Sequence, residues 1–379
     1  MKLENVRVLD LSMNMPGPYL SMLMADNGAE VIKVEQPGTG DPGRVLGTVE
    51  GPSTVFFRNL NRGKKSITLD LKSETGREKL LQLCETADVL IEGFRPGVAG
   101  RLGVDYKAVA ARNPGIVYCS ISAYGQTGPY RDYPAHSLAV EAFSGAVSTT
   151  EGADMEPAIP GVAIADFLSA LHGLSGVLMA LLRRQATGTG DYIDISMLDS
   201  VVAAEPNVVA PVFAQGREVI PKQERNLGGA AFYQIYRTKD GRHVALAGQE
   251  DKFVRTVLSA FGREDFSGLC ARGPGPHQKP LIDFFRSEFL KKSQAEWIEW
   301  FEPLGVCFAP VKTIKEAFED PQVLARGMLL RDGQGRKHIG PAIKFQREPA
   351  KPVLREPLLG EHNSEFFGPD LAPGKRIPS

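Results

Sequence analysis

A chain of 379 residues, 42% of them hydrophobic, with 44 basic and 45 acidic side chains and a formal net charge of -1, has the size of one large or two moderate globular domains. So even a balance argues against a nucleic-acid partner, because neutralising phosphates takes a clustered basic face. No stretch reads as the unbroken apolar run of a membrane span, and the opening MKLENVRVLDLS lacks the basic-then-apolar order of an export signal, so a cytoplasmic protein with no membrane partner is expected.

Residues 6–11 (VRVLDL) form a β-branched run that reads as a buried strand, and 19–27, after Met15-Pro16-Gly17-Pro18, read as a helix. Residues 31–35 (VIKVE) are a second strand. Strand, helix, strand within about 30 residues is a parallel βαβ unit, the building block of a Rossmann-like sheet. The first turn lacks GxGxxG, so a dinucleotide is not expected. A third strand is read at 66–71, a helix at 73–87 and a fourth strand from 89 to 91, running into Glu92-Gly93-Phe94-Arg95-Pro96-Gly97. Ligands of open parallel sheets sit beyond the carboxyl ends of strands, where this loop falls. Residues 116–120 form a fifth strand, 136–145 a helix, 192–195 a strand and 197–204 a helix.

Between these lies PGVAIADFLSALHGLSGVLMALL (160–182). Leu168, Leu171, Leu174, Leu178 and Leu181 recur at steps of three and four, the period of a helix packing one apolar face into a core. Asp166 falls near its start, where unpaired N–H groups and the helix dipole favour a carboxylate, so it reads either as a helix-start acid or as a reactive group.

From Arg225 the pattern changes. Residues 232–237 and 243–247 flank Thr238-Lys239-Asp240-Gly241, whose Asp-Gly pair signals a hairpin. Helices are read at 252–261, 280–289 and 293–301. The expected organisation is a large α/β domain over 1–200 completed by 320–379, a linker at 201–224 and a smaller α+β domain at 225–315. Cys84, Cys119, Cys270 and Cys307 are far apart with no CxxC pair, which fits reduced thiols. The six histidines lack ligand spacing, so no metal is expected.

Several stretches together resemble the family III CoA-transferase superfamily (CaiB/BaiF type), which includes CoA-transferases and α-methylacyl-CoA racemases. They are Pro16-Gly17-Pro18, GAEVIKVEQPGTGDPGR (28–44), NRGKKSITLDLK (61–72), ADVLIEGFRPGVAGRLG (87–103), YGQTGP (124–129), ATGTGDYIDISMLDS (186–200) and GEHNSE (360–365). The resemblance covers nearly the whole chain and implies a Rossmann-like large domain, a small domain and an interlocked homodimer. It implies acyl-CoA as substrate, with CoA entering as part of that substrate and no redox cofactor.

The resemblance also gives Asp166 a role, in one of two forms. In the transferases the matching aspartate attacks the acyl-CoA carbonyl and forms an aspartyl-CoA thioester while the acyl group is exchanged. In the racemases it belongs to a set that removes and returns the α-proton of a 2-methylacyl-CoA. PAHSLAVEAFSG (134–145) resembles the racemases in placing His136 before the helix, and ALAGQEDKF (245–253) does so in placing Glu250 after the hairpin. Asp166, His136 and Glu250 are therefore the expected catalytic groups, with a racemase or epimerase favoured over a CoA-transferase. Inverting a carbon by proton transfer needs a group on each face with a pKa near neutrality, which a histidine and a buried carboxylate can supply.

Two departures stand out: Ser137 follows His136 where the racemases usually have aspartate, and Gln249 stands where an apolar residue is usual. Glu141 reads as a solvated helix acid. The CoA phosphates need cations and backbone donors, and the resemblance points to Arg95 and Arg101, with Glu92 in the same loop and Lys64 as a further candidate.

Overall fold

Short apolar runs alternating with helices set the architecture of the first of two units; the structure, a computed structural model, describes residues 1–152 and 154–368. This unit comprises Met1–Ser144, Gly161–Val202 and the chain from Asp320 onward. Residues 369–379, part of the expected completion of the large domain, lie outside the described residues.

The elements that build its sheet and flank the site are, in chain order, β1 (Arg7–Asp10), α1 (Pro16–Asp26), β2 (Glu30–Glu35), α2 (Val55–Asn61), β3 (Lys65–Thr68), α3 (Glu74–Cys84), β4 (Val89–Glu92), β5 (Val117–Ser122), α4 (Ser137–Ser144), α5 (Ile164–Thr187), β6 (Asp191–Ser196) and α6 (Met197–Val202). The sheet order is β3-β2-β1-β4-β5-β6, and every pair is parallel. This is the doubly wound α/β arrangement expected of the sequence. The strand order reverses between β1 and β4, which opens a crevice beyond their carboxyl ends. Strands covered on both faces are apolar almost continuously, as Val8, Leu9, Val31, Ile32, Val89, Leu90 and Ile91 are here, all buried.

Helix α1 begins with proline in its first turn, where the missing N–H costs nothing. A Cβ on Gly17 would lie 2.3 Å from Ser12 Cβ, so only glycine lets α1 start this close to the end of β1. Ser73 caps α3 by accepting the Gly76 N–H at 3.0 Å, and Leu80, Leu81 and Cys84 seal the sheet below with Ile67, Leu69 and Tyr118.

Helix α5 packs against α1, α4, α6, β5 and β6, and here the structure departs from the leucine period. The buried face is Ala165, Ser169, Ala170, Gly173, Leu174, Val177 and Leu181, while Leu171 and Leu178 are 44% and 40% exposed. The helix is apolar nearly all round, so spacing alone does not choose the inner face. Small side chains decide it, since a Cβ on Gly173 would come within 2.7 Å of Leu20 and 3.6 Å of the Cys119 sulfur. With a mean hydropathy of 1.6 in its most apolar window, α5 is also long and apolar enough to cross a bilayer. The sequence reading found no such run, and in this chain the inner face of α5 lies on a sheet.

The second unit comprises Gly145–Pro160 and Ala203–Glu319. Strands β7 (Gln234–Arg237) and β8 (His243–Leu246) form the expected hairpin, with Gly241 at φ 78° in the turn and the Thr238 N–H donating to the Arg242 carbonyl at 2.9 Å. A third strand, β9 (Phe308–Pro310), pairs with β8; at three residues it is too short to leave a period. Helices α7 (Asp251–Ala260), α8 (Lys279–Phe289) and α9 (Gln294–Phe301) close over the sheet. Their core is aromatic: Trp297 stands edge-on to Phe289 with centroids 5.0 Å apart, Trp300 packs on Phe261 at 4.6 Å, and Phe301 stacks on Phe308 at 4.0 Å.

Candidate active site

The start of α5 has an ordinary problem with an unusual solution. The first N–H groups of a helix lack partners, and the residue before α5, Ala163, has no side chain to cap them. A carboxylate from another helix does so: Glu141 Oε1, on α4, accepts the Ala165 N–H at 3.1 Å and the Ser137 hydroxyl at 2.5 Å. Glu141 is only 2% exposed, which corrects its reading as a solvated acid. The serine that breaks the racemase pattern is thus the group that holds it.

Asp166 follows one residue on, half-buried. Burial and then the negative charge of Glu141 push its carboxyl up to about 6, against a smaller opposing effect of His136. The Ser169 hydroxyl donates to the Ala165 carbonyl at 2.7 Å and the Phe167 ring meets Tyr19 of α1 edge-on at 5.0 Å, so both sides of Asp166 are anchored. His136 immediately precedes α4, where its carbonyl accepts the Ala139 N–H at 3.0 Å and its ring is exposed. The fold therefore gathers His136, Glu141 and Asp166 where α4 meets the start of α5.

A cleft of about 120 Å³ opens at the carboxyl ends of β1, β2 and β3, lined by Leu11, Met13, Leu69, Lys72, Phe94 and Leu102 among others. Its apolar side chains can take a flat ring, and Lys72 shares the lining with the carboxylates of Glu35, Asp41 and Asp70. Residues 3–363 match the profile of CoA-transferase family III. The chain belongs to that family.

Relatives of this family III enzyme fall on both sides of the expected choice. It is 34% identical over 374 residues to succinyl-CoA:glutarate CoA-transferase of Mus musculus, covering 96% of this chain and 85% of that one. It is 30% identical over 371 residues to alpha-methylacyl-CoA racemase of Homo sapiens, covering 97% and 93%. A solved CAIB/BAIF family protein from Brucella suis superposes with a TM-score of 0.83 at 30% identity over 96% of this chain and 98% of that one. The family handles CoA thioesters, and both kinds of relative are enzymes.

The other expected site residues of this family III chain are placed as follows. Arg95 and Arg101 are both exposed, in and just after the loop that follows β4. Glu92 is buried and turned inward, accepting the Phe94 N–H at 2.6 Å. Burial pushes its carboxyl up to about 7, and its visible role is to shape the loop that carries Arg95. Lys64 is buried too and donates to Asp10 Oδ2 at 3.0 Å, the Pro18 carbonyl at 3.0 Å and Asn61 Oδ1 at 2.8 Å. Its three donors are engaged in pinning α1 to β1 and burial pushes its ammonium down to about 8; the neighbouring cation that lines the cleft is Lys72. Lys72 ends a stretch that carries the resemblance, and its position after β3 is the signal that marks it.

Glu250 belongs to the second unit, where it is exposed at the start of α7 and makes no capping bond with its side chain. Gln249 beside it exchanges two hydrogen bonds of 3.3 Å with Arg225, so this departure from the racemase pattern ties two loops of that unit together. Among the described residues no three His, Cys, Asp or Glu side chains gather as metal ligands.

Proposed function

We propose that this enzyme inverts the configuration at C2 of a 2-methylacyl-CoA by removing the α-proton and returning it to the opposite face, with His136 and Asp166 as proton carriers. The observation that carries this reading is the pairing of a histidine with a half-buried carboxyl pushed up to about 6. The Asp166 carboxyl then exchanges protons close to neutrality, which is where general acid–base catalysis is most effective. Removing the α-proton moves charge to the thioester oxygen, and the N–H groups of the first turn of α5 not taken by Glu141 are suited to receive it. The cleft beyond β1–β3 takes the adenine end of CoA, with Lys72, Arg95 and Arg101 as phosphate partners. Glu250 is proposed as a further acid/base group on the resemblance alone. The proposal extends to a cytoplasmic homodimer, supported by the uncovered apolar side chains of α5.

A second reading has support of its own in the CoA-transferase relatives. There the Asp166 carboxylate attacks the thioester carbonyl and expels CoA thiolate, leaving a mixed anhydride. The thiolate then attacks the aspartyl carbonyl, releasing the acid and leaving an aspartyl-CoA thioester for an acceptor carboxylate.

Incubation with a 2-methylacyl-CoA in heavy water, without an acceptor acid, separates the two. The expected result is α-deuterium uptake, read by mass spectrometry, that is lost in His136→Gln. No uptake, together with CoA exchange between carboxylic acids and an Asp166 adduct trapped by hydroxylamine, would establish the transferase instead.

A further inference from the structure

We propose that Glu141 is the positioning residue of this site: held by Ser137, its carboxylate docks the first turn of α5 and sets a second negative charge beside Asp166. The inference rests on the reading of Asp166 as the reacting group and holds for either reaction.

Three observations converge on it. Glu141 is nearly inaccessible to solvent, and a buried carboxylate persists only where hydrogen bonds compensate it. Its bonds to the Ala165 N–H and the Ser137 hydroxyl join two segments 24 residues apart in the chain, one carrying Asp166 and the other beginning at His136. Ala163 leaves the helix start without a cap of its own, so the orientation of the Asp166 turn depends on Glu141. A carboxylate needs no neighbouring acid to cap a helix, and an amide or hydroxyl would serve as well. What an acid adds is charge, and two carboxyl groups at close quarters hold a proton that neither would hold alone.

The groups around Asp166 leave Glu141 as the one that acts in this sense. His136 is the other charged group that reaches Asp166, and it acts oppositely. On α1, Tyr19 lies against Phe167 and Asp26 is paired with Arg62. On β6, Asp194 accepts the Gln126 N–H, and Asp199 of α6 is exposed.

The test is Glu141→Gln, which keeps an oxygen for the Ala165 N–H and removes the charge. Asp166 is followed directly by carbon NMR of aspartate carboxyls, with its signal assigned as the one missing from Asp166→Asn. The expected change is a fall in its titration midpoint of roughly half to one unit, a three- to tenfold weaker hold on the proton. The acid limb of the pH–rate profile moves down with it. A midpoint that stays in place in folded Glu141→Gln overturns the proposal. Should that variant fail to fold, Glu141→Met removes the same charge with a side chain of similar shape and is expected to lower the midpoint likewise; no movement there is equally fatal. Because the NMR signal needs no turnover, it decides on Glu141 even if Asp166→Asn retains activity, the outcome that would count against Asp166 as the reacting group.

Discussion

At the scale of single residues, the pH behaviour of Asp166 follows from the sign of its shift. Its carboxyl is raised to about 6, so it is ionised and able to accept a proton above that value and protonated below it. Turnover limited by the Asp166 base is therefore expected to fall on the acid side with a midpoint near pH 6, read from initial rates across pH 4.5–8. Asp166→Asn, which cannot carry the proton, is expected to lose roughly 100- to 10,000-fold in rate. Asp10 is the opposite case. Burial alone would raise its carboxyl, but the ammonium groups of Lys64 and Lys33 and the hydroxyls of Ser12 and Ser21 hold it well below the usual carboxylate range. A depressed carboxyl stabilises the fold above its unfolded pKa, and that stability is lost as the pH falls below about 4. Asp10→Asn leaves Lys64 and Lys33 buried with less compensation, and a loss of about 3–5 kcal/mol in urea unfolding is expected. A loss under about 1 kcal/mol, the range of exposed pairs, would show that Asp10 does not balance them.

At the scale of elements, what could be read ahead of the structure was what local pattern controls. The strands of the sheet are short β-branched runs, the hairpin is marked by Asp240-Gly241, and α5 is marked by its length and apolarity, so each could be located from neighbouring residues. Which face of α5 turns inward could not, because leucines surround the helix and the choice rests on how closely Gly173 and Ala170 let it approach β5. Strand limits drifted for a related reason: the register with β2 ends at Thr68, with one more bond from the Leu69 N–H to the Glu35 carbonyl at 2.9 Å, while Leu69 and Leu71 carry the apolar run on by packing into the core or its edge. In the site, His136 and Asp166 were visible through resemblance to other chains. Glu141 was not, because its burial comes from a backbone N–H that no periodicity connects to it. Lys64 looked like a phosphate ligand, yet only the three-dimensional meeting of β1, α1 and α2 shows that its ammonium has other partners.

At the scale of the whole molecule, α5 leaves apolar surface uncovered in the single chain, with Met179 and Leu182 66% and 69% exposed. If a second copy covers it, light scattering is expected to give about 82 kDa, twice the chain's 41.1 kDa, and Leu182→Glu to weaken the association; a mass near 41 kDa at micromolar concentration would contradict the homodimer. The aromatic core of the second unit has a separate use. The chain has two tryptophans, Trp297 and Trp300, and both sit in that core against Phe261, Phe289 and Phe301. Intrinsic fluorescence excited at the indole band is therefore blind to the parallel sheet and its site. A denaturation curve followed by indole emission reports the smaller unit, whereas far-ultraviolet dichroism averages over both. Coincident midpoints would mean that the two units melt as one, and a gap between them would measure how far apart their stabilities lie, with no label attached to the protein.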